Sequence, residues 1–259
     1  MLFRSWCSRS VYGESHRRRS VQNVVDEIEL LLETYHPDML WFADDVFTIQ
    51  HKWFHEFHGE MLRRNIRIPF ECISRADRLS EDILRKMAEL GAFRIWFGSE
   101  SGSQTILDAM QRRVSVDEIR TITQQAQRFG IQAGLFVMLG YPGETIADIE
   151  ETVDHLKRTG ADLFLTTIAY PIKGTDFYRE IGSPSGTDDE WRGSSDRNIR
   201  VPGRYSETFY WFANRYVVNE VRQHQLRNNG THHWADVASS FIKAKVARAG
   251  MEFTKRTSS

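Results

Sequence analysis

Between residues 39 and 168 one plan recurs five times: an apolar run of strand length, a polar or glycine-bearing turn, then an amphipathic helix. The runs are MLWFA (39–43), PFECIS (69–74), FRIWF (93–97), AGLFVML (133–139) and DLFLTTI (162–168). Apolar runs of this length bounded by turn residues read as buried strands. Strand–helix steps joined by right-handed crossovers make a parallel sheet, curled or closed. The fold class is therefore α/β. The polar residues that follow the strands then share one rim, which is where parallel α/β folds keep their chemistry. The 259 residues suffice for one large barrel-type domain or two small ones.

The chemistry-bearing residues fall where the runs break. The third run ends in Gly98, Ser99, Glu100, Ser101 and Gly102, a carboxylate and hydroxyls between glycines. The first run is followed at once by Asp44 and Asp45. Two adjacent carboxylates at a strand end can grip an amine or a metal, or one of them can cap the next turn. Glu71 lies inside the second run, where a carboxylate needs a partner or a ligand. Arg75, four residues on, is the candidate partner. The fourth run ends in Leu139 and passes into Gly140, Tyr141, Pro142, Gly143 and Glu144. Backbone kept bare by glycine and stiffened by proline lets a flat ligand approach, or simply makes a tight turn.

Other features have structural readings. Ser20 is a good N-cap for a helix whose apolar face runs from Val21 to Tyr35, ended by Pro37. Arg17, Arg18 and Arg19 can hold a phosphate or form a solvated basic turn. A second helix is expected over 51–65, with Phe54, Phe57 and Met61 buried. Its His51, His55 and His58 have zinc-like spacing but lack a supporting cluster, so they read as a solvated face. Ser115 with Glu118, and Thr145 with Asp148, are helix-capping pairs. Cys72 reads as a small core residue.

Residues 182–204 shift to Gly, Ser, Asp, Arg and Pro, which separates residues 1–181 from a helical extension over 205–259. The extension holds two helices, one striped by Tyr205, Phe209, Phe212 and Tyr216, the other by Trp234, Val237, Phe241 and Ile242. Both stripes are expected to pack on the barrel or close its bottom rather than bind a cofactor. A formal net charge of −1 gives no electrostatic footprint for nucleic acid. No run is long enough to span a bilayer. Two cysteines, Cys7 and Cys72, argue for a reducing compartment, so a cytoplasmic location is expected.

Taken in order, WCSRSVYG, WFADDVFT, ECISRADRL, FGSESGS, FVMLGYPGET and YPIKGT resemble the radical S-adenosylmethionine (radical SAM) superfamily. More narrowly they are similar to its cobalamin-binding branch, which includes anaerobic magnesium-protoporphyrin monomethyl ester cyclases. The resemblance covers residues 1–178. It implies a partial (β/α)6 barrel of the TIM type, a 4Fe-4S cluster held by cysteines spaced CxxxCxxC, and SAM bound to that cluster. It implies reductive cleavage of SAM to a 5′-deoxyadenosyl radical, a small-molecule substrate, and an electron donor such as flavodoxin or ferredoxin. Cobalamin is implied for longer relatives.

Carried onto this chain, the resemblance gives Cys7 as a cluster ligand. Asp44 and Asp45 stand where the methionine amine is met, and Glu71 where the ribose is reached in some relatives. Glu100 and Ser101 stand at a further SAM contact, Arg112 faces the SAM carboxylate, and Leu139 and Gly140 lie against adenine. Arg4 stands three residues before Cys7, so one of three cluster cysteines is present. The expectation is a barrel lacking its first strand, in a chain that begins inside a longer ancestral protein. Two alternatives accompany this reading: a non-catalytic SAM-binding or partner-binding remnant, and a metal-dependent barrel enzyme using Asp44, Asp45, Glu71 and Glu100.

Overall fold

The computed structural model describes residues 17–172, 175–181, 201, 203–228 and 234–255. Five strands form one sheet: β1 (Leu40–Phe42), β2 (Phe70–Ser74), β3 (Ala92–Glu100), β4 (Gln132–Leu139) and β5 (Leu163–Ile168). The strand order is the chain order, β1-β2-β3-β4-β5, and every pair is parallel. Among the described residues β1 and β5 are edges, so the sheet is an open, partial barrel.

Helices α1 (Val21–Tyr35), α2 (His51–Arg63), α3 (Glu81–Leu90), α4 (Gln104–Ala109), α5 (Val116–Arg128) and α6 (Ile146–Thr159) precede or connect the strands. The chain ends with α7 (Asp176–Ile181), α8 (Glu207–Asn228) and α9 (Trp234–Thr254). Local chemistry sets their ends. Ser20 accepts from Asn23 N, Ser80 accepts from Ile83 N, and Gly91 closes α3 at φ 104°. Ser115 with Glu118 and Thr145 with Asp148 form complete capping boxes, each satisfying two orphan backbone donors.

Alternation along the strands separates two faces. Ala133, Leu135, Val137 and Leu139 of β4 are wholly buried against the helices, together with Cys72, Ile95 and Phe97. The opposite, inner face carries Trp41, Glu71, Trp96, Phe136, Leu163 and Leu165. Trp96 stacks on Phe136 at 5.3 Å. A Cβ on Gly134 would fall inside the Trp96 ring, so this position must be glycine. Phe42, Phe47, Phe54, Phe57 and Phe70 form a buried aromatic cluster between β1, β2 and α2. Burying each such ring stabilises by about 1.5–3 kcal/mol.

Several boundaries differ from the sequence expectations. β3 does not stop at Phe97 but runs to Glu100, through a bulge opposite Phe136 and Val137. α2 ends at Arg63 rather than at residue 65, because Asn65 takes a left-handed φ of 55°. α8 begins at Glu207 and buries Phe209, Tyr210, Ala213, Val217 and Val221 in the same core as the sheet. α9 packs on α8 through Val237, Ser240, Ala244, Ala247 and Met251. Its expected stripe is corrected: Trp234, Phe241 and Ile242 are exposed. Small residues let two long helices approach closely, so the buried face is the small one.

Candidate functional site

Because all five strands are parallel, their C-terminal ends lie along one edge of the sheet. Asp44 and Asp45 follow β1, Glu100 ends β3, and Gly140 follows β4 at that edge. The register links them stepwise: Phe42 pairs with Cys72, Ser74 with Phe97, Glu100 with Val137, and Leu139 with Ile168.

At the β1 corner, Phe42 and Phe47 stack at 4.5 Å and bracket the turn that carries both aspartates. Phe47 N donates to Ile73 O at 2.8 Å, and Thr48 Oγ1 lies 2.5 Å from Ser74 Oγ, both buried. Both aspartates are exposed, and Asp44 lies 3.6 Å from Arg18.

At the β3 corner, Glu100 adopts φ 55° and is only 4% exposed. A Cβ on Gly98 would collide with its carboxylate, which places that carboxylate on the inner side of the strand. Arg112, from the turn after α4, donates from Nη2 to Gly98 O at 2.5 Å and sits 3.2 Å from Glu100 Oε2. The buried acid and its countercharge are thus brought together. Ser101 turns the other way: its Oγ lies 3.2 Å from Thr152 Oγ1 and accepts from Ser103 N. Ser99 reaches His155 Nε2 at 2.9 Å behind the sheet. Burial pushes the His155 imidazole down to about 4, so it is neutral.

At the β4 corner, Gly140 takes φ 78° and its N donates to Glu144 Oε2 at 2.6 Å. Glu144 is buried, which pushes its carboxyl up to about 8 despite the Gly140 hydrogen bond. Arg204 donates to Ala169 O at 2.6 Å and lies 5.0 Å over the Tyr210 ring. A Cβ on Gly140 would meet Arg204 Nη2 at 2.9 Å and Tyr210 at 3.0 Å. Leu139 is fully buried on the helix face.

Glu71 lies near the start of β2, away from this edge. Its Oε2 accepts from Arg94 Nη1 and Trp96 Nε1, both at 3.1 Å. The expected Arg75 partnership is corrected, since Arg75 forms a bidentate pair with Asp77 at 2.7 and 2.8 Å. The three histidines also separate: His58 meets Glu89 at 2.7 Å, His55 meets Lys86 at 3.0 Å, and His51 meets Arg78 O at 3.1 Å. The sequence placed Glu144 in the turn after the fourth run without a role, and gave no role to Arg94, Arg204 or Tyr210. Glu144 was signalled by the Gly-Tyr-Pro-Gly-Glu turn; Arg204 lies 64 residues from Gly140 and carried no local signal.

The donor sets differ in what they can hold. Exposed Asp45 suits a ligand amine and the Glu100–Arg112 pair places a cation near the same edge, whereas the Gly140 backbone is buried beneath Arg204 and Tyr210. A thiolate-bound cluster is not fitted by the described residues. Cys72 is their free cysteine, wholly buried on the helix face, with its thiol pushed up by burial. Cys7 lies outside the described residues. No three His, Cys, Asp or Glu side chains gather to hold a metal among the described residues. That separates Glu71 and Glu100 from the metal-site alternative, because arginines hold both.

A parallel sheet with acids and glycines along its C-terminal edge defines the class: an α/β protein of the partial-barrel type. Residues 5–156 match the Radical SAM superfamily, more than half of the chain, and the chain belongs to that superfamily. It is 29% identical over 171 residues to an uncharacterized methyltransferase of Pyrococcus horikoshii, covering 66% of this chain and 37% of that protein. It is 25% identical over 180 residues to the anaerobic magnesium-protoporphyrin IX monomethyl ester cyclase of Rubrivivax gelatinosus, covering 69% and 32%. The chain therefore spans about a third of the length of these curated relatives. The fold is similar to that of the radical SAM methyltransferase TsrM from Kitasatospora setae, solved with cobalamin and a [4Fe-4S] cluster. There the TM-score is 0.58 at 18% identity, over 63% of this chain and 31% of that one.

Proposed function

We propose that this chain is the SAM-binding barrel of a radical SAM enzyme. The observation that supports it most is the superfamily match over residues 5–156, whose acidic and glycine turns lie along one edge of a parallel sheet. In this reading Asp45 meets the SAM amine, and Arg112, already beside Glu100, meets its carboxylate. Gly140, its N–H held by Glu144 and its Cα side closed by Arg204 and Tyr210, forms the turn against which the adenine would lie. Asp44, Glu71, Ser101 and Leu139 support these groups from the turn, the sheet and the core. Cys7 would hold one iron of a 4Fe-4S cluster, and that group would supply the electron for reductive cleavage of SAM and hydrogen abstraction. The inner face, with Trp96 on Phe136, is the proposed floor for a small-molecule substrate. Residues 1–181 form the proposed core and 205–259 its helical extension, joined by a linker. A flavodoxin or ferredoxin is the proposed electron donor, cobalamin a candidate second cofactor, and the cytoplasm the proposed location. None of the described helices is long and apolar enough to cross a membrane.

The test is anaerobic incubation of the full chain with iron and sulfide, then with SAM and dithionite, with nucleosides separated by chromatography. The expected product is 5′-deoxyadenosine. SAM binding without that product would overturn the radical activity, and no SAM binding would overturn the whole reading.

A further inference from the structure

We propose that Arg18 is a positioning residue for the ligand amine: it clamps the turn after β1 and takes up the charge of Asp44, leaving Asp45 as the carboxylate that faces the ligand. The proposal rests on the SAM-binding reading above.

The geometry is specific. Arg18 precedes α1, yet its guanidinium crosses to the β1 corner. Nη2 donates to Phe47 O at 2.9 Å and to Val46 O at 3.3 Å, and lies 3.6 Å from Asp44 Oδ1. Its Cζ lies 4.5 Å from the centroid of the Trp53 ring. Trp53 closes the clamp from its side, because its Nε1 donates to Arg19 O at 2.9 Å. Ser20 then caps α1, fixing the backbone on which Arg18 stands. The Arg18 side chain is 8% exposed and that of Asp44 42%.

Each contact has a physical reason. The Phe47 carbonyl lies beyond the end of β1, where sheet pairing does not satisfy it, and buried backbone acceptors need donors; the Val46 carbonyl also accepts from Ile49 N at 3.2 Å. A guanidinium reaches both carbonyls while its charge sits over an indole face; a lysine ammonium, a single point charge, does both less well. Two adjacent carboxylates repel each other, and Arg18 offsets one of them. The Asp45 side chain makes no hydrogen bond or ion pair among the described residues. Phe42 and Phe47, stacked at the ends of the turn, fix the backbone that carries Asp45, and with Asp44 offset by Arg18 the corner presents one uncompensated carboxylate to a cation.

The test is calorimetric titration of the full chain, after anaerobic iron–sulfide reconstitution, with two ligands. SAM carries the amine and carboxylate; 5′-methylthioadenosine lacks both. Arg18→Gln is expected to weaken SAM by about tenfold and to leave 5′-methylthioadenosine unchanged. Arg18→Lys should recover little, and Asp45→Asn should weaken SAM more than Asp44→Asn does. Wild-type SAM affinity in Arg18→Gln, or equal loss of both ligands, would overturn the clamp. Should Arg18→Gln fail to fold, Trp53→Phe decides: the same selective loss supports the proposal, and unchanged SAM affinity overturns it. A wild-type chain that binds neither ligand removes the SAM reading itself, and the proposal with it.

Discussion

Glu100 shows how much a single residue is held by its surroundings. A non-glycine residue at φ 55° carries backbone strain of roughly 1–2 kcal/mol. Its buried carboxylate persists there because Arg112 is equally buried and 3.2 Å away. Arg112→Met would leave that charge uncompensated, and we expect a loss of about 3–5 kcal/mol in denaturant unfolding. A variant as stable as wild type would sink this account of the pair. Glu144 gives a pH prediction. Burial sets its folded value, about 8, above the ordinary carboxylate value of 4.5. The folded state therefore holds the proton more tightly, and this stability is full below 4.5 and lost as pH rises through about 8. His155 has the opposite sign, because its contribution is lost as pH falls from 6.5 through about 4. The melting temperature of wild type should therefore fall more steeply from pH 5 to 9 than that of Glu144→Gln; equal slopes would contradict the burial argument. At this scale the sequence was only partly readable. That Glu71 needed a partner followed from its place in a strand, but the partner is Arg94, 23 residues on. Only the register, which sets Glu71 beside Arg94, reveals it.

Elements were more readable than their contacts. The five apolar runs, the capping boxes and the glycine stop of α3 are short-range signals, and each corresponds to a strand, helix start or helix end. The β3 bulge was not readable, since it depends on what β4 places opposite Gly98 and Glu100. The buried face of α9 was hidden for a related reason: its partner is α8, and close helix packing selected small residues over the aromatic ones. Thr145→Ala, which removes one capping box, should cost about 1 kcal/mol. Gly102→Ala acts differently. Its Cβ would lie 2.5 Å from Thr152 Cα and Glu151 O of α6, so the turn after β3 and α6 would have to separate. Overpacking of this kind costs about 1–3 kcal/mol. Chemical denaturation of both variants should rank Gly102→Ala as the more destabilised; the reverse order would mean that α6 yields easily.

For the whole molecule, one geometric fact organises the rest. Five parallel strands in chain order put every strand-end turn on the same edge, and the acids and glycines of those turns come with them. The single-edge arrangement follows from the repeat alone; the identity of the ligand rests on the superfamily match. The most direct measurement is hydrogen–deuterium exchange of the full chain with and without SAM. The account predicts slowed exchange in the peptides spanning 43–48, 98–103 and 139–144 together, with the start of each strand unchanged. Protection confined to the cleft between β5 and α8, lined by Leu163, Leu165, Val218 and Arg222, or no protection at all, would contradict it.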